Sequence, residues 1–170
     1  MDLNEIKNSL NSNPNLTDDI KECLMELIYL FNSKFPNVKL ENLNERLKTL
    51  SIIRGSKFLI KKSSYYNPIS NELLVSIVKL ENNDCKHILM RELLNIITAK
   101  DNFTGFNKDN AYEALNIGYT ERLANFLVGN ETESEYEDEI VASNLLEKII
   151  GEDKMFDAYF NNDASLIFGN

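Results

Sequence analysis

The spacing of apolar residues changes along the chain, and this change constrains the fold more than any other feature. Apolar residues recur every three or four positions over 20–31 and again over 40–50, as they do on one face of an α-helix. Over 57–78 the chain instead carries β-branched and aromatic runs on both sides of a turn sequence at 67–71, which predicts a β-hairpin. Helical spacing returns from Ile88 onward. We therefore expect an α+β fold that is mainly helical, with a small sheet.

Turn and capping residues set the expected limits of these elements. Residues 11–15 are typical of a turn and Thr17 of a helix N-cap, so a helix is expected from Asp18 until Pro36 ends it. The next helix is expected to stop around Gly55. Further helices are expected after a capping turn at 82–84, from 110 or 116 to 128, over 140–150 and over 155–160, before a tail at 164–168 that docks on the core.

Length and composition fit one globular domain. Of the 170 residues, 43% are hydrophobic and 26% charged, and no stretch is a linker rich in Pro, Gly or Ser. We expect a single domain over 1–170, made of N-terminal helices (1–55), a hairpin with two motif helices (56–128) and C-terminal helices (129–170).

The same sequence argues against a membrane protein. No apolar run reaches the roughly 18–20 residues that cross a bilayer, and the N-terminus lacks the apolar centre of a signal peptide. Cys23 and Cys85 have no thiol or histidine neighbours at metal-binding spacing, so both are expected to be buried free thiols. A cytoplasmic location is expected.

Acidic residues are concentrated in the second part of the chain. The net charge is −9, which divides into +2 for residues 1–100 and −11 for residues 101–170. Such a surface repels phosphate backbones, so direct nucleic-acid binding is not expected. Residues 131–139 contain six acids, which we interpret as a solvated loop leading into a helix N-terminus. Calcium is the weaker interpretation, because no regular series of oxygen ligands around a glycine turn is present.

Two short motifs on either side of a glycine loop carry a family resemblance. The first is Arg91-Glu-Leu-Leu-Asn95 on one predicted helix, the loop contains Thr104-Gly-Phe106, and the second is Leu115-Asn-Ile-Gly-Tyr-Thr-Glu121 on the next helix. This order resembles the gluzincins, the thermolysin-type zincin-like metallopeptidases. In that family a HExxH helix supplies two zinc ligands and the base, and an Asn-Glu-Gly sequence on a second helix supplies the third ligand and then a further acid.

Residue by residue, the resemblance implies a zincin-like site in which the residues at the metal-ligand positions have been replaced. The family's two histidines fall on Arg91 and Asn95, its base on Glu92 and its third ligand on Ile117. Zinc takes His, Cys, Asp or Glu, and a guanidinium is a permanent cation, so we expect no metal, no cofactor and no peptidase activity. Glu92 is then a vestigial base. The resemblance further implies that Glu121 faces Arg91, and we expect an ion pair between the motif helices, with Glu92 as a possible third member.

The expected function is therefore binding by a non-catalytic pseudo-metallopeptidase whose partner is a protein or peptide. The strand at 73–78, with Leu73 and Val75, is the expected edge along which a peptide would lie. A second candidate surface is the acidic stretch, represented by the residues Glu131, Glu133, Glu135 and Glu137.

Three other interpretations stay open at this point. One is an acidic inhibitor or immunity-type protein that binds a basic partner, with nucleic-acid mimicry as one form of this binding. Another is a hydrolase with a site rebuilt around Glu92 and Glu121. The third is a structural helical domain in which Gly118 only permits close helix packing. His87, the single histidine, lies one turn before Arg91 and is expected to be a partly buried or capping residue rather than a ligand.

Overall fold

A computed structural model describes residues 2–55, 63–76, 85–129 and 135–169. Over these ranges the chain forms eight α-helices and one three-stranded sheet, so the predicted mainly helical α+β class is confirmed. The helices are α1 (Leu3–Ser12), α2 (Asp18–Lys34), α3 (Glu41–Leu47), α4 (Cys85–Ile97), α5 (Glu113–Val128), α6 (Glu137–Ile150), α7 (Glu152–Phe160) and α8 (Ser165–Phe168). The strands are β1 (Ser51–Gly55), β2 (Ser64–Asn67) and β3 (Glu72–Ser76).

The N-terminal helices supply one side of the core. The Asp2 carboxylate caps α1 by accepting the N–H of Asn4 at 3.0 Å, and Thr17 occupies the N-cap position of α2 with extended backbone. The apolar stripe predicted for α2 is buried, and it comprises Ile20, Leu24, Leu27, Ile28 and Phe31. Helical periodicity therefore identified this element and its inward face correctly.

The expected extent of the third helix is wrong. It ends at Leu47 rather than around Gly55, and residues 51–55 form strand β1. Leu50 is still fully buried, but it lies in the connection between helix and strand. The β-branched pair at 52 and 53 lies next to β3, and parallel pairing with β3 satisfies the backbone groups that a continued helix would have bonded internally.

The predicted hairpin consists of β2 and β3. These strands are antiparallel, with Tyr66 opposite Leu73, and β1 pairs parallel to the other side of β3. The strand order β1-β3-β2 makes β3 the central strand, which corrects its expected role as a peptide-binding edge. The first hairpin segment (57–60), the end of the predicted strand at 77–78 and the capping turn at 82–84 lie outside the described residues.

Helix α4 lies at the centre of the molecule and carries the first motif. Ten of its residues are buried, including the charged Arg91 and Glu92. It contacts α2, α3, α5 and β2, so its polar side chains face other elements rather than solvent. Among the described helices, none combines the length and the apolar character needed to span a bilayer.

Glycines at two positions let the neighbouring segments approach α5, which carries the second motif. A Cβ at Gly118 would lie 2.0 Å from the backbone oxygen of Glu139, so this glycine allows the first turn of α6 to lie against α5. A Cβ at Gly105, which has φ +55°, would lie 2.0 Å from Oδ1 of Asn116. Close packing thus accounts for Gly118 without any catalytic ancestry.

Candidate functional site

The two motifs converge on one pocket. Arg91, Glu92 and Asn95 reach it from α4 and Ile117 from α5, so every position to which the resemblance assigns a metal ligand or base lies on its wall. Strand β2, the loop before α5 and Tyr136 complete the wall. The cavity measures about 110 Å³, which is somewhat smaller than the ~150 Å³ cavity that holds a benzene molecule in another protein. The pocket therefore has the size of one side chain.

Arg91 connects the two motif helices with the sheet. Its Nη1 donates to Glu121 Oε1, and its Nη2 donates to Ser63 Oγ at 2.7 Å and Ser64 Oγ at 2.5 Å. Its Nε donates to Glu92 Oε1 at 3.2 Å. The structure thus brings Arg91 and Glu121 together as an ion pair, with Glu92 as a third charged member.

Both carboxylate oxygens of Glu92 accept hydrogen bonds. Oε1 accepts from the hydroxyl of Ser64 as well as from Arg91, and Oε2 accepts from Nδ2 of Asn95 at 3.0 Å. Glu92 is only 2% exposed, so these donors replace the water that would otherwise solvate its charge. This arrangement holds Glu92 as a structural acceptor and leaves its oxygens engaged with protein groups.

His87 joins the same group of side chains from the opposite end of Glu121. Its Nδ1 lies 2.8 Å from the carbonyl oxygen of Gly129, which only accepts hydrogen bonds, and its Nε2 lies 2.7 Å from Glu121 Oε2. His87 therefore links the carboxylate of Glu121 to the backbone at the C-cap of α5. We call the four residues Arg91, Glu92, Glu121 and His87 the Arg91 network.

The surroundings of Arg91 and Glu121 favour the charged forms of both side chains. Burial acts to raise the pKa of Glu121, but the hydrogen bond from His87 and the charge of Arg91 outweigh burial and hold this pKa below its ordinary value. Burial likewise opposes the charge of Arg91, yet the carboxylates of Glu92 and Glu121 raise its pKa. The Arg91 guanidinium therefore lies between the carboxylates of Glu92 and Glu121.

One aromatic contact and one polar contact complete the description of the pocket wall. The ring of Tyr136 lies over the guanidinium, with the Cζ of Arg91 5.3 Å from the ring centroid. Asn116, which also lines the pocket, accepts the backbone N–H of Phe106 at its Oδ1 at 3.2 Å, and this hydrogen bond attaches the glycine loop to α5. Asn116 thus has a packing role that the sequence alone did not specify.

Of the other predicted binding residues, those that the structure describes do not line the pocket. Leu73 and Val75 are 1% and 0% exposed in the central strand, so neither is accessible to a peptide, which corrects the prediction. Glu135 Oε2 accepts the backbone N–H of Ser63 at 3.1 Å, and Glu137 begins α6. Glu131 and Glu133 lie outside the described residues.

The residues present do not fit zinc. Under the resemblance the three ligand positions hold a guanidinium, an amide and an aliphatic side chain, of which none is an anionic or imidazole ligand. Across the described residues, no group of three or more His, Cys, Asp and Glu side chains could hold a metal ion. The structure also adds Ser63, Ser64 and Tyr136 to the site, which sequence reasoning missed.

The side chains of the Arg91 network all come from two helices. His87, Arg91 and Glu92 lie on α4, and Glu121 lies on α5. Next to this site, the described residues end at Gly129 and resume at Glu135. Comparison of the chain with known proteins gave no match to a family model, to a curated protein or to a solved structure.

Proposed function

We propose that this protein is a non-catalytic, zincin-like pseudo-metallopeptidase that binds an extended protein or peptide segment at the pocket. The observation that carries the proposal is the convergence of Arg91, Glu92, Asn95 and Ile117 on one wall, with Glu121 held behind Arg91. These residues come from two helices and are up to 30 positions apart, so their common location does not follow from local sequence. We also propose a cytoplasmic location, because both cysteines are free thiols.

The chemistry of the pocket favours binding over hydrolysis. Glu92 accepts hydrogen bonds from Arg91, Ser64 and Asn95, and these donors occupy the carboxylate oxygens that a general base would use to take a proton. Glu121, the second carboxylate of a rebuilt hydrolase site, is bonded to Arg91 and His87. A peptidase reaction would require an activated water that neither carboxylate is arranged to generate.

Strand β2 is the element along which we place the bound segment. It pairs with β3 on one side, lies at the outside of the described sheet, and lines the pocket with Ser64, Tyr65 and Tyr66. An added strand would bond to the outward backbone groups of β2 and place one side chain in the pocket.

A metal-restoration experiment tests the ancestry of the site. The variant Arg91→His/Asn95→His/Ile117→Glu supplies the three ligands that the resemblance requires, and we expect it to bind one zinc ion per chain, measured by competition with a chromophoric chelator. The matched control is Arg91→His/Asn95→His, which lacks the carboxylate and is expected to bind zinc more weakly. Equal affinities in the two variants, both with native far-ultraviolet circular dichroism, would contradict a zincin-like arrangement.

A peptide selection tests the binding role. Peptides selected on the wild-type protein from a random library are expected to lose affinity for Tyr65→Ala and for Ile117→Trp, which fills the pocket. Tyr29→Ala is the control, because Tyr29 is 46% exposed on α2 and does not line this pocket. Selected peptides whose affinity is unaffected by both pocket variants would show that the binding site lies elsewhere.

A basic protein partner is a second candidate, supported by the charge of −11 carried by residues 101–170. Asp138 and Glu137 are exposed at the start of α6 and add to an acidic surface there. Binding of this kind would weaken steeply with salt, because exposed charges more than about 8 Å apart are screened at physiological ionic strength. Peptide binding in the pocket would change little over the same range, so a salt titration of any captured partner separates the two functions.

A further inference from the structure

The outer face of α6 carries a row of exposed apolar side chains. Val141, Leu145 and Ile149 follow one another at intervals of four residues and are 57%, 56% and 80% exposed. Residues four apart lie one above the other on a helix, so these side chains form one stripe. Sequence periodicity identified this helix but gave no indication that part of its apolar surface points outward.

The inward face of α6 is already occupied. The first turn lies against Gly118 of α5, and Glu147 forms an ion pair with Arg122 at 2.5 Å. Ser143, on that side, is fully buried. The exposed stripe is thus a separate surface, and rows of apolar side chains that a fold leaves in solvent commonly mark a protein contact.

Charges of opposite sign lie at the two ends of the stripe. Asp138 precedes it and Lys148 lies beside its last residue, and both are exposed. Over the described ranges neither residue forms an ion pair. A second α6 running antiparallel along the stripe would place the acidic end of each helix beside the basic end of the other.

We propose that the outer face of α6 pairs with the same face of a second copy of this chain, with the two helices antiparallel. When Val141 of one copy is opposite Leu145 of the other, Asp138 is opposite Lys148, and two-fold symmetry repeats each contact. This register pairs Val141 with Leu145 and the two charges at once, and it leaves Ile149 at the edge of the contact, opposite Glu137 of the second copy. This self-complementarity favours a second copy over an unrelated protein.

The area of the stripe sets the strength of the association. Three apolar side chains per copy bury less than the roughly 1,200–2,000 Å² of standard interfaces, so the dimer is weak and concentration-dependent. We expect monomer at low micromolar concentration and a growing dimer fraction toward the millimolar range, as measured by sedimentation equilibrium.

Charge reversal tests both the partner and the register. Asp138→Lys and Lys148→Glu are each expected to reduce the dimer fraction, because each places like charges opposite one another. An equimolar mixture of the two variants is expected to associate more strongly than either alone, since both contacts in the mixed pair are attractive. The variant Asp138→Lys/Lys148→Glu should also recover dimerisation, and circular dichroism verifies that all the variants fold.

Two results would overturn the proposal. The first is a wild-type protein that stays monomeric to millimolar concentration, which would assign the stripe to another partner. The second is a mixture that associates no better than its components while Leu145→Asp still abolishes the dimer, because the helices would then pair in another register or orientation.

Discussion

At the scale of single residues, Arg91 has the largest structural role in the site. Its guanidinium contacts Glu121 on α5, Ser64 on β2 and the ring of Tyr136 ahead of α6. Burying ions is costly, and such groups are tolerated only when their charges and hydrogen bonds are satisfied. The carboxylates and hydroxyl groups around the Arg91 guanidinium meet that condition, so we infer that Arg91 fixes how α4, α5 and the sheet fit together.

Removing the guanidinium is expected to destabilise the fold strongly. Arg91→Met keeps an apolar stem but leaves the buried carboxylates of Glu92 and Glu121 without their shared cation, which costs about 3–5 kcal/mol in the free energy of unfolding. Urea denaturation monitored by circular dichroism measures this loss. The control is Arg91→Met/Glu92→Gln/Glu121→Gln, which removes the carboxylate charges too and is expected to be more stable than Arg91→Met. An unchanged midpoint in Arg91→Met would show that the ion pair does not support the fold.

The pKa of Glu121 predicts a dependence of stability on pH. Because the folded-state pKa of Glu121 is lowered from its ordinary value of 4.5, its charge stabilises the protein above that value. The contribution is lost as the pH falls through the lower, folded-state pKa. Glu121→Gln is therefore expected to be less stable than wild type at pH 7, and the gap should narrow at about pH 3. Denaturation at both pH values measures it, and a gap that is constant with pH would contradict the assignment.

At the scale of elements, the sequence was most informative where one periodicity ran without interruption. The α2 stripe and the β2–β3 turn were both predictable, because their patterns depend only on near neighbours in the chain. The end of α3 was not, because pairing of β1 with β3 across about 20 positions decides whether residues 51–55 form helix or strand. Strand order has the same long-range origin, which is why β3 was expected at the edge.

The residues of the site also divide into those that could be predicted from the sequence and those that depend on long-range contacts. The resemblance alone predicted that Arg91 faces Glu121, and the structure places the two residues in an ion pair. Ser63 and Ser64 had no periodic pattern to identify them, and their roles depend on where β2 meets α4, 27 and 28 positions along the chain. Hydrogen-bonding partners contributed by irregular or short segments are determined by tertiary structure.

Gly118 provides a prediction about how α5 and α6 pack. In an isolated helix, Gly→Ala stabilises by about 1 kcal/mol, so helix propensity alone favours Gly118→Ala. The new methyl group would lie 2.0 Å from the backbone oxygen of Glu139, and relieving this overlap requires α6 to move, at about 1–3 kcal/mol. We expect a net loss of stability in thermal unfolding, whereas a raised Tm would show that the helices are not in close contact.

At the scale of the whole molecule, charge is distributed unevenly among the elements. Residues 101–170 carry a net charge of −11, and the C-terminal helices α6 and α7 both begin with acidic residues. Acids in a first turn are favourable, because the N-terminal end of the helix dipole is positive. The last turn of α7 has no basic residue, and the exposed Asp157 lies there, where a carboxylate is unfavourable.

Two substitutions that change the net charge equally separate long-range repulsion from the helix dipole. Asp157→Lys and Asp153→Lys both replace an exposed acid of α7, at the end and at the start of the helix respectively. Asp157→Lys is expected to stabilise by about 0.3–1 kcal/mol, because it removes repulsion and places a cation at the helix C-terminus. Asp153→Lys also removes repulsion, but it places a cation at the positive N-terminal end of the helix dipole. Its Tm should therefore be lower than that of Asp157→Lys. The difference should shrink at about 1 M salt, where the screening length is about 3 Å. Equal Tm values at low salt would mean that repulsion across the acidic half, rather than the local dipole, governs the stability of this helix.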